Sequence, residues 1–203
     1  MGFTVAIDGP AAAGKGTISK AVAAYFDMAH LDTGLLYRAV GALVLCGKNP
    51  LVAAQSLRSE DLEGPNLRSA EVAQAASQVA VMADVRAVLI DFQRQFARRE
   101  NGAVLDGRDI GTVILPEAKV KLFVTADAEV RAERRYKELQ ESAVKTSFAQ
   151  VLSDVIMRDT RDRERAAAPM VAAADAVVID TSCMSMEAAI AAAIAVVQKG
   201  ISS

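Results

Sequence analysis

The stretch most able to do chemistry is Gly9-Pro10-Ala11-Ala12-Ala13-Gly14-Lys15-Gly16-Thr17, a glycine followed after four residues by Gly-Lys. It comes directly after the apolar run 3–7 and leads into a helical run, 16–26. In that setting the glycines let the backbone wrap until its N–H groups converge on an anion. The helix N-terminus adds partial positive charge, and Lys15 reaches the outer phosphates. The chemistry is binding of a nucleoside triphosphate; the motif leaves the reaction open. The bland alternative is a small-residue turn that merely caps a helix, and the flanking strand and helix argue against it. The hydroxyl stands at Thr17, one position later than the usual metal-binding place after the lysine. A magnesium ion would then be held through phosphates and water.

Three other clusters carry charge where a second ligand could sit. Asp32-Thr33-Gly34-Leu35-Leu36-Tyr37-Arg38 follows a short apolar run, with Asp32 or Thr33 able to cap the helix bearing Tyr37 and Arg38. Arg38, one turn in, could grip a phosphate, although a surface arginine explains it equally well. Asp106-Gly107-Arg108-Asp109-Ile110-Gly111-Thr112 closes another apolar run. Asp106 there matches an acid that meets magnesium through water, and Arg108 and Asp109 would project into a cleft; a β-turn is the plain reading. Arg158, Asp162 and Arg165 are spaced i, i+4, i+7, so a continuous helix puts all three on one face. Charge runs of this kind are more often solvated faces.

These residues need a scaffold that brings loop ends together. Strand-like runs at 3–7, 28–31, 103–105, 120–125 and 176–179 alternate with helical runs at 16–26, 35–46, 69–99, 128–141, 148–165 and 184–199. The strands are too apolar to have a wet face, which predicts five parallel strands covered by helices on both sides, a three-layer α/β fold. Right-handed crossovers then bring every strand's carboxyl end to one edge, where such sheets bind ligands. Residues 47–66 show no sustained period and read as an irregular insertion, and 140–148 as the tip of a helical hairpin. Ser77 and Arg86 are half a helical turn out of phase. Both reach one ligand only if the helix breaks between them, with Asp84 as the cap that marks the break.

Composition narrows the classes. The chain has 203 residues, enough for one domain, 1–203, with its own core and no need of a disulfide or metal staple. Its 23 Lys and Arg nearly balance 25 Asp and Glu, which argues against a general nucleic-acid binder or a polybasic membrane protein. Two cysteines, Cys46 and Cys183, and one histidine, His30, make neither a disulfide framework nor a zinc site. The cysteines read as apolar fillers and His30 as structural. The greasiest run, 188–197, is too short to span a bilayer, and 3–7 lacks the basic lead of a secretory signal, so a cytoplasmic location is expected.

Taken together the motifs resemble the bacterial cytidylate kinase family, among the phosphate-loop nucleoside monophosphate kinases. The likeness runs through Ile7-Asp8-Gly9-Pro10, Gly14-Lys15-Gly16-Thr17, Asp32-Thr33-Gly34 with Tyr37-Arg38, 76–79, Asp106-Gly107-Arg108-Asp109 and 158–163, nearly the whole chain. The resemblance implies a monomeric enzyme that moves the γ-phosphoryl group of ATP, with magnesium, to CMP or dCMP. It implies that Ser77 and Asp109 read the cytosine amino group and that Arg86 contacts the base. Arg158 and Asp162 would hold the ribose, Arg165 the nucleotide end, and Arg38 and Arg108 the acceptor phosphate, with Thr33 and Tyr37 in the same site. Lys15, Arg38, Arg108 and Arg158 would be the catalytic cations, and Arg131, Arg134 and Arg135 lid arginines closing on ATP. The acceptor-binding insertion would span about 38–100 and the lid about 131–165. Departures are a shortened strand-bearing insertion, 47–66, and Thr33 where serine is usual. A kinase for AMP, UMP or a metabolite hydroxyl, or a non-catalytic nucleotide switch, stays open on the residues alone. No Asn-Lys-x-Asp guanine reader occurs to favour the switch.

Overall fold

A computed structural model of the chain describes residues 2–202 other than 65, 68, 142 and 143, so the expected hairpin tip at 140–148 lies partly outside the described residues. The five expected strands form, as β1 (Thr4–Asp8), β2 (Ala29–Asp32), β3 (Ala103–Gly107), β4 (Val120–Thr125) and β5 (Val177–Asp180). They make one sheet in the order β2-β3-β1-β4-β5, and every pairing is parallel. Strand β1, which leads into the phosphate loop, is therefore central. Its neighbours β3 and β4 deliver the 106–112 loop and the start of the 128–141 helix on either side of that loop.

Alternation along β1 and β3 sorts the core into two halves. Ala6 and Leu105 point to the face covered by α2 (Thr33–Leu45), α3 (Pro50–Gln55) and α5 (Ala83–Phe96), packing with Leu36, Val40, Val85 and Leu89. Val5, Ile7 and Val104 point to the face covered by α1 (Lys15–Tyr25) and α8 (Met186–Ile201). On α8 the buried residues Ala189, Ala193 and Val197 recur every fourth position. That small-residue stripe lets the helix approach the sheet closely, which is what part of the alanine richness is for. α6 (Ala128–Glu141) and α7 (Phe148–Arg163) form an antiparallel pair with its own small core of Ala132, Val151 and Val155.

Several expectations change. The expected irregular insertion 47–66 contains regular pieces: α3, Pro50–Gln55, and a 3-10 turn, Ser59–Glu63. Asn49 caps α3, accepting from Leu51 and Val52 N–H ahead of Pro50, and Ala53 and Ala54 are buried; six residues are too few to show a period. The run 69–99 does break, into α4 (Ala70–Val79) and α5, but the N-cap position of α5 is Met82 and Asp84 lies inside the first turn, accepting only from the Val85 N–H. α7 ends at Arg163, so Arg165 is beyond the helix. Strand β5, at the sheet edge, leaves Val177 and Val178 exposed. Cys46 and Cys183 are exposed and unbonded to each other, hence not core fillers. No helix is long and apolar enough to cross a membrane among the described residues.

Candidate active site

The loop between β1 and α1 has the backbone of an anion cradle. Gly9 has φ +141°, and a Cβ there would lie 1.9 Å from the Val124 carbonyl oxygen; Gly14, the N-cap of α1, has φ +92°. Only glycine adopts the first conformation in that space. The loop thus wraps against β4 and ends on the N-terminus of α1. Lys15 is buried and donates to the Pro10 carbonyl at 2.7 Å. Burial first, then the nearby Arg108, pushes its ammonium down to about 7.

Guanidinium groups from three distant segments gather beside it. Arg108 repels both Lys15 and Arg158, and Arg38 repels Arg158 as well. Burial and these like charges bring Arg158 down to about 10, and its Nε is buried without a hydrogen-bond partner among the described residues. Four cations held this close, one with an unpartnered donor, form a site suited to an anion. Arg38 also donates to the Leu67 carbonyl at 2.8 Å, tying α2 to the acceptor-side insertion.

Asp162 organises this side. Buried on α7, it accepts from Arg108 Nε at 2.9 Å on one oxygen and from Arg165 on the other, and it interacts with Arg158. Burial alone would make it a weaker acid, but the arginine charges outweigh burial and hold the carboxyl below the usual range. The continuous helix expected for Arg158, Asp162 and Arg165 stops before the third, but the three side chains still meet at Asp162. Deeper in, Arg86 of α5 joins Asp109 (2.8 Å) and, on α2, the Tyr37 hydroxyl (3.4 Å). Burial raises the Tyr37 phenol and keeps it protonated. The Ser77 hydroxyl bonds the Ala73 carbonyl of its own helix, and Thr33 donates to the Asp106 carbonyl.

Asp106 accepts from Ser19 and His30 at 2.8 Å each, on the same oxygen. Burial opposes its ionisation, but these hydrogen bonds and the charge of Lys15 outweigh it, so it stays charged. No group of three or more His, Cys, Asp or Glu side chains that could cage a metal exists among the described residues. Asp106 stands here as a lone charged carboxylate that could touch a cation from one side without caging it. His30, read as structural, does position that carboxylate.

The three expected lid arginines have different surroundings. Arg131 is buried, pairs in two-pronged fashion with Asp159 (3.1 and 2.6 Å), and also donates to the Ala126 carbonyl and, at 3.4 Å, to Ala11 of the phosphate loop. Arg134 donates to the Thr181 hydroxyl and carbonyl, and Thr181 donates in turn toward the Ala13 carbonyl. Arg135 lies on the helix surface with Glu138. Sequence alone does not mark Asp8, Ser19, Asp159 or Thr181, since their partners lie far along the chain.

The parallel sheet with this order, the glycine loop after its central strand and the facing cation cluster define a phosphate-loop phosphotransferase of two anionic ligands. Comparison with known proteins narrows the class. The family model described as cytidylate kinase matches residues 5–62 and 49–199. A cytidylate kinase of Cereibacter sphaeroides is 61% identical over 98% of this chain and 96% of its own length. One from Azorhizobium caulinodans is 53% identical over 96% and 98%. Among solved structures, an uncharacterized protein from Eubacterium ventriosum aligns over all of both chains with a TM-score of 0.58 at 13% identity, a likeness of fold alone. The chain belongs to the cytidylate kinase family, and it is an enzyme of that phosphotransferase type.

Proposed function

We propose that the chain transfers the γ-phosphoryl group of ATP to CMP or dCMP, giving ADP and CDP or dCDP. The observation that carries this reading is the gathering of Lys15, Arg38, Arg108 and Arg158 around one space beside the glycine loop, with the Arg158 Nε unpartnered. The acceptor is already an anion near neutral pH, so no strong base or covalent nucleophile is needed; alignment and charge neutralisation suffice. Amides of residues 14–17 and Lys15 would hold the donor phosphates, and Arg38, Arg108 and Arg158 the acceptor phosphate, with the transferred group in line between them. Magnesium bound with ATP would supply further neutralisation, with Asp106 steadying it through water. Asp162 would fix the arginines and reach the ribose, while Arg86, Asp109 and Ser77 would meet the base, inside a pocket completed by Thr33, Tyr37 and Arg165. Arg131, Arg134 and Arg135 would form the donor-side lid.

An ADP-release assay over CMP, dCMP, UMP, AMP and a small hydroxyl acceptor tests this. CMP and dCMP are expected to dominate kcat/KM. Higher kcat/KM for AMP or for the hydroxyl compound would replace the reading with another small-acceptor kinase, and nucleotide binding without turnover would replace it with a switch.

A further inference from the structure

Asp8, the last residue of β1, has no part in the chemistry above, yet it is a carboxylate buried to 5% exposure between the two nucleotide loops. Its two oxygens are fully engaged with backbone on the acceptor side: Oδ1 accepts from the Ile110 N–H at 2.8 Å and Oδ2 from the Gly111 N–H at 2.7 Å. Those two amides open the π-helical turn Ile110–Ile114, and the residues just before it are Arg108 and Asp109. One residue on the other side of Asp8 begins the glycine loop. The β1–β3 ladder ends at the Asp8–Gly107 pair, and beyond it this side chain fastens the segment that carries the acceptor-binding Arg108 and Asp109 to the strand that carries the phosphate loop.

The turn needs such a fastener. Asp109 precedes it in a non-helical conformation, φ −143° and ψ 26°, and no side chain of the turn caps its first amides. Without Asp8, two buried N–H groups would lose their partners, which costs more than an average hydrogen bond gains. Gly111 lies against Asp8, since a Cβ there would stand 3.4 Å from Oδ2. Asp109 in turn is held by Arg86 and, through it, by Tyr37. The order Asp8, Ile110–Gly111 amides, Asp109, Arg86, Tyr37 links the two substrate sites through close contacts. Among the described residues Asp8 makes no side-chain hydrogen bond to those assigned to the base or the acceptor phosphate; it acts on them through the backbone amides it holds and through its charge, which repels Asp109.

We propose that Asp8 is a positioning residue that sets Arg108 and Asp109 in register with the phosphate loop, so that acceptor affinity and base preference depend on a residue of the donor strand. The proposal rests on the reading that Arg108 and Asp109 bind the acceptor, and the test separates the two. Steady-state kinetics of Asp8→Asn, which keeps the shape but turns an N–H toward one of the two amides, would be run beside Asp109→Ala with ATP, CMP and UMP. Asp8→Asn is expected to raise the CMP KM about tenfold and to erode the CMP-over-UMP preference, while the ATP KM stays within about twofold. A purely structural role would lower Tm and active fraction and leave the KM values and the preference unmoved; a folded Asp8→Asn enzyme with that result overturns the proposal, as does an equal rise in both KM values. Loss of preference in Asp109→Ala but not in Asp8→Asn rejects the proposal alone. Unchanged preference in Asp109→Ala rejects the reading of the acceptor site beneath it. Should Asp8→Asn not fold, Asp8→Ser, which removes the buried charge and leaves an acceptor, is read against the same outcomes.

Discussion

Lys15 carries its charge where burial and the guanidinium of Arg108 both oppose it, which is why its ammonium falls to about 7. Triphosphate arriving in the loop would reverse that balance, because the new negative charge favours the protonated form. The sign follows directly: above pH 7 the free protein holds a largely neutral Lys15, so ATP binding must take up a proton, and below pH 7 the proton is already present. Calorimetry at pH 8 in buffers of different ionisation enthalpy is expected to show about one proton more taken up by the natural protein than by Lys15→Met, shrinking toward zero at pH 6. Equal uptake by the two would assign the titration elsewhere. The same substitution is expected to lower ADP formation at least about a hundredfold. The glycine loop was legible because its meaning lies in nine consecutive residues. Asp8 and His30 were not, because the partners that give them meaning lie 102 and 76 positions away and only the parallel register of β1, β2 and β3 brings them near.

At the scale of elements, α6 and α7 are joined by apolar surface and by one buried ion pair. α6 and α7 share a small core of Ala132, Val151 and Val155, and the Arg131–Asp159 pair, exposed by only 3% and 8%, closes its base. Arg131 also reaches the Ala126 and Ala11 carbonyls, so the pair welds both helices to the sheet edge. Removing one member strands the other charge in a dry site. Asp159→Ala is expected to cost roughly 3–5 kcal/mol, a fall in Tm on the order of 10 °C, and pairing it with Arg131→Met should recover much of the loss. Thermal unfolding followed by circular dichroism reads both; a single variant as stable as the natural chain would show the pair to be idle. Element existence was readable from period and alternation, since long runs such as 148–163 and 186–201 repeat their apolar positions many times. What escaped was short or contextual. α3 has six residues held by an Asn-Pro cap, and the α4–α5 break is marked by no capping side chain at all, which is why Asp84 suggested itself wrongly.

For the whole molecule, the question is which parts move when both nucleotides are present. The sheet contributes its carboxyl edge and is fixed by the two halves of the core, so β1, β3 and β4 have nothing further to gain in order. The base of the α6–α7 pair is also fixed, through Arg131 to the 126 carbonyl and Arg134 to Thr181. Closure must then come from parts farther from the edge: the outer turns of α6 and α7 beyond those anchors, and the acceptor-side group α3 to α4, tied to α2 by Arg38 at the Leu67 carbonyl. Hydrogen exchange with ATP analogue and CMP together should therefore gain protection in residues 144–157 and 50–79, with little change in the central strands, and CMP alone should protect only the second region. A uniform gain spread over strands and helices alike would instead report ligand linkage to global unfolding, and the arrangement of fixed edge and moving flaps would be wrong. The distinction matters for the chemistry, because flaps that exclude water only when both sites are filled keep the γ-phosphoryl group from water until an acceptor is in line.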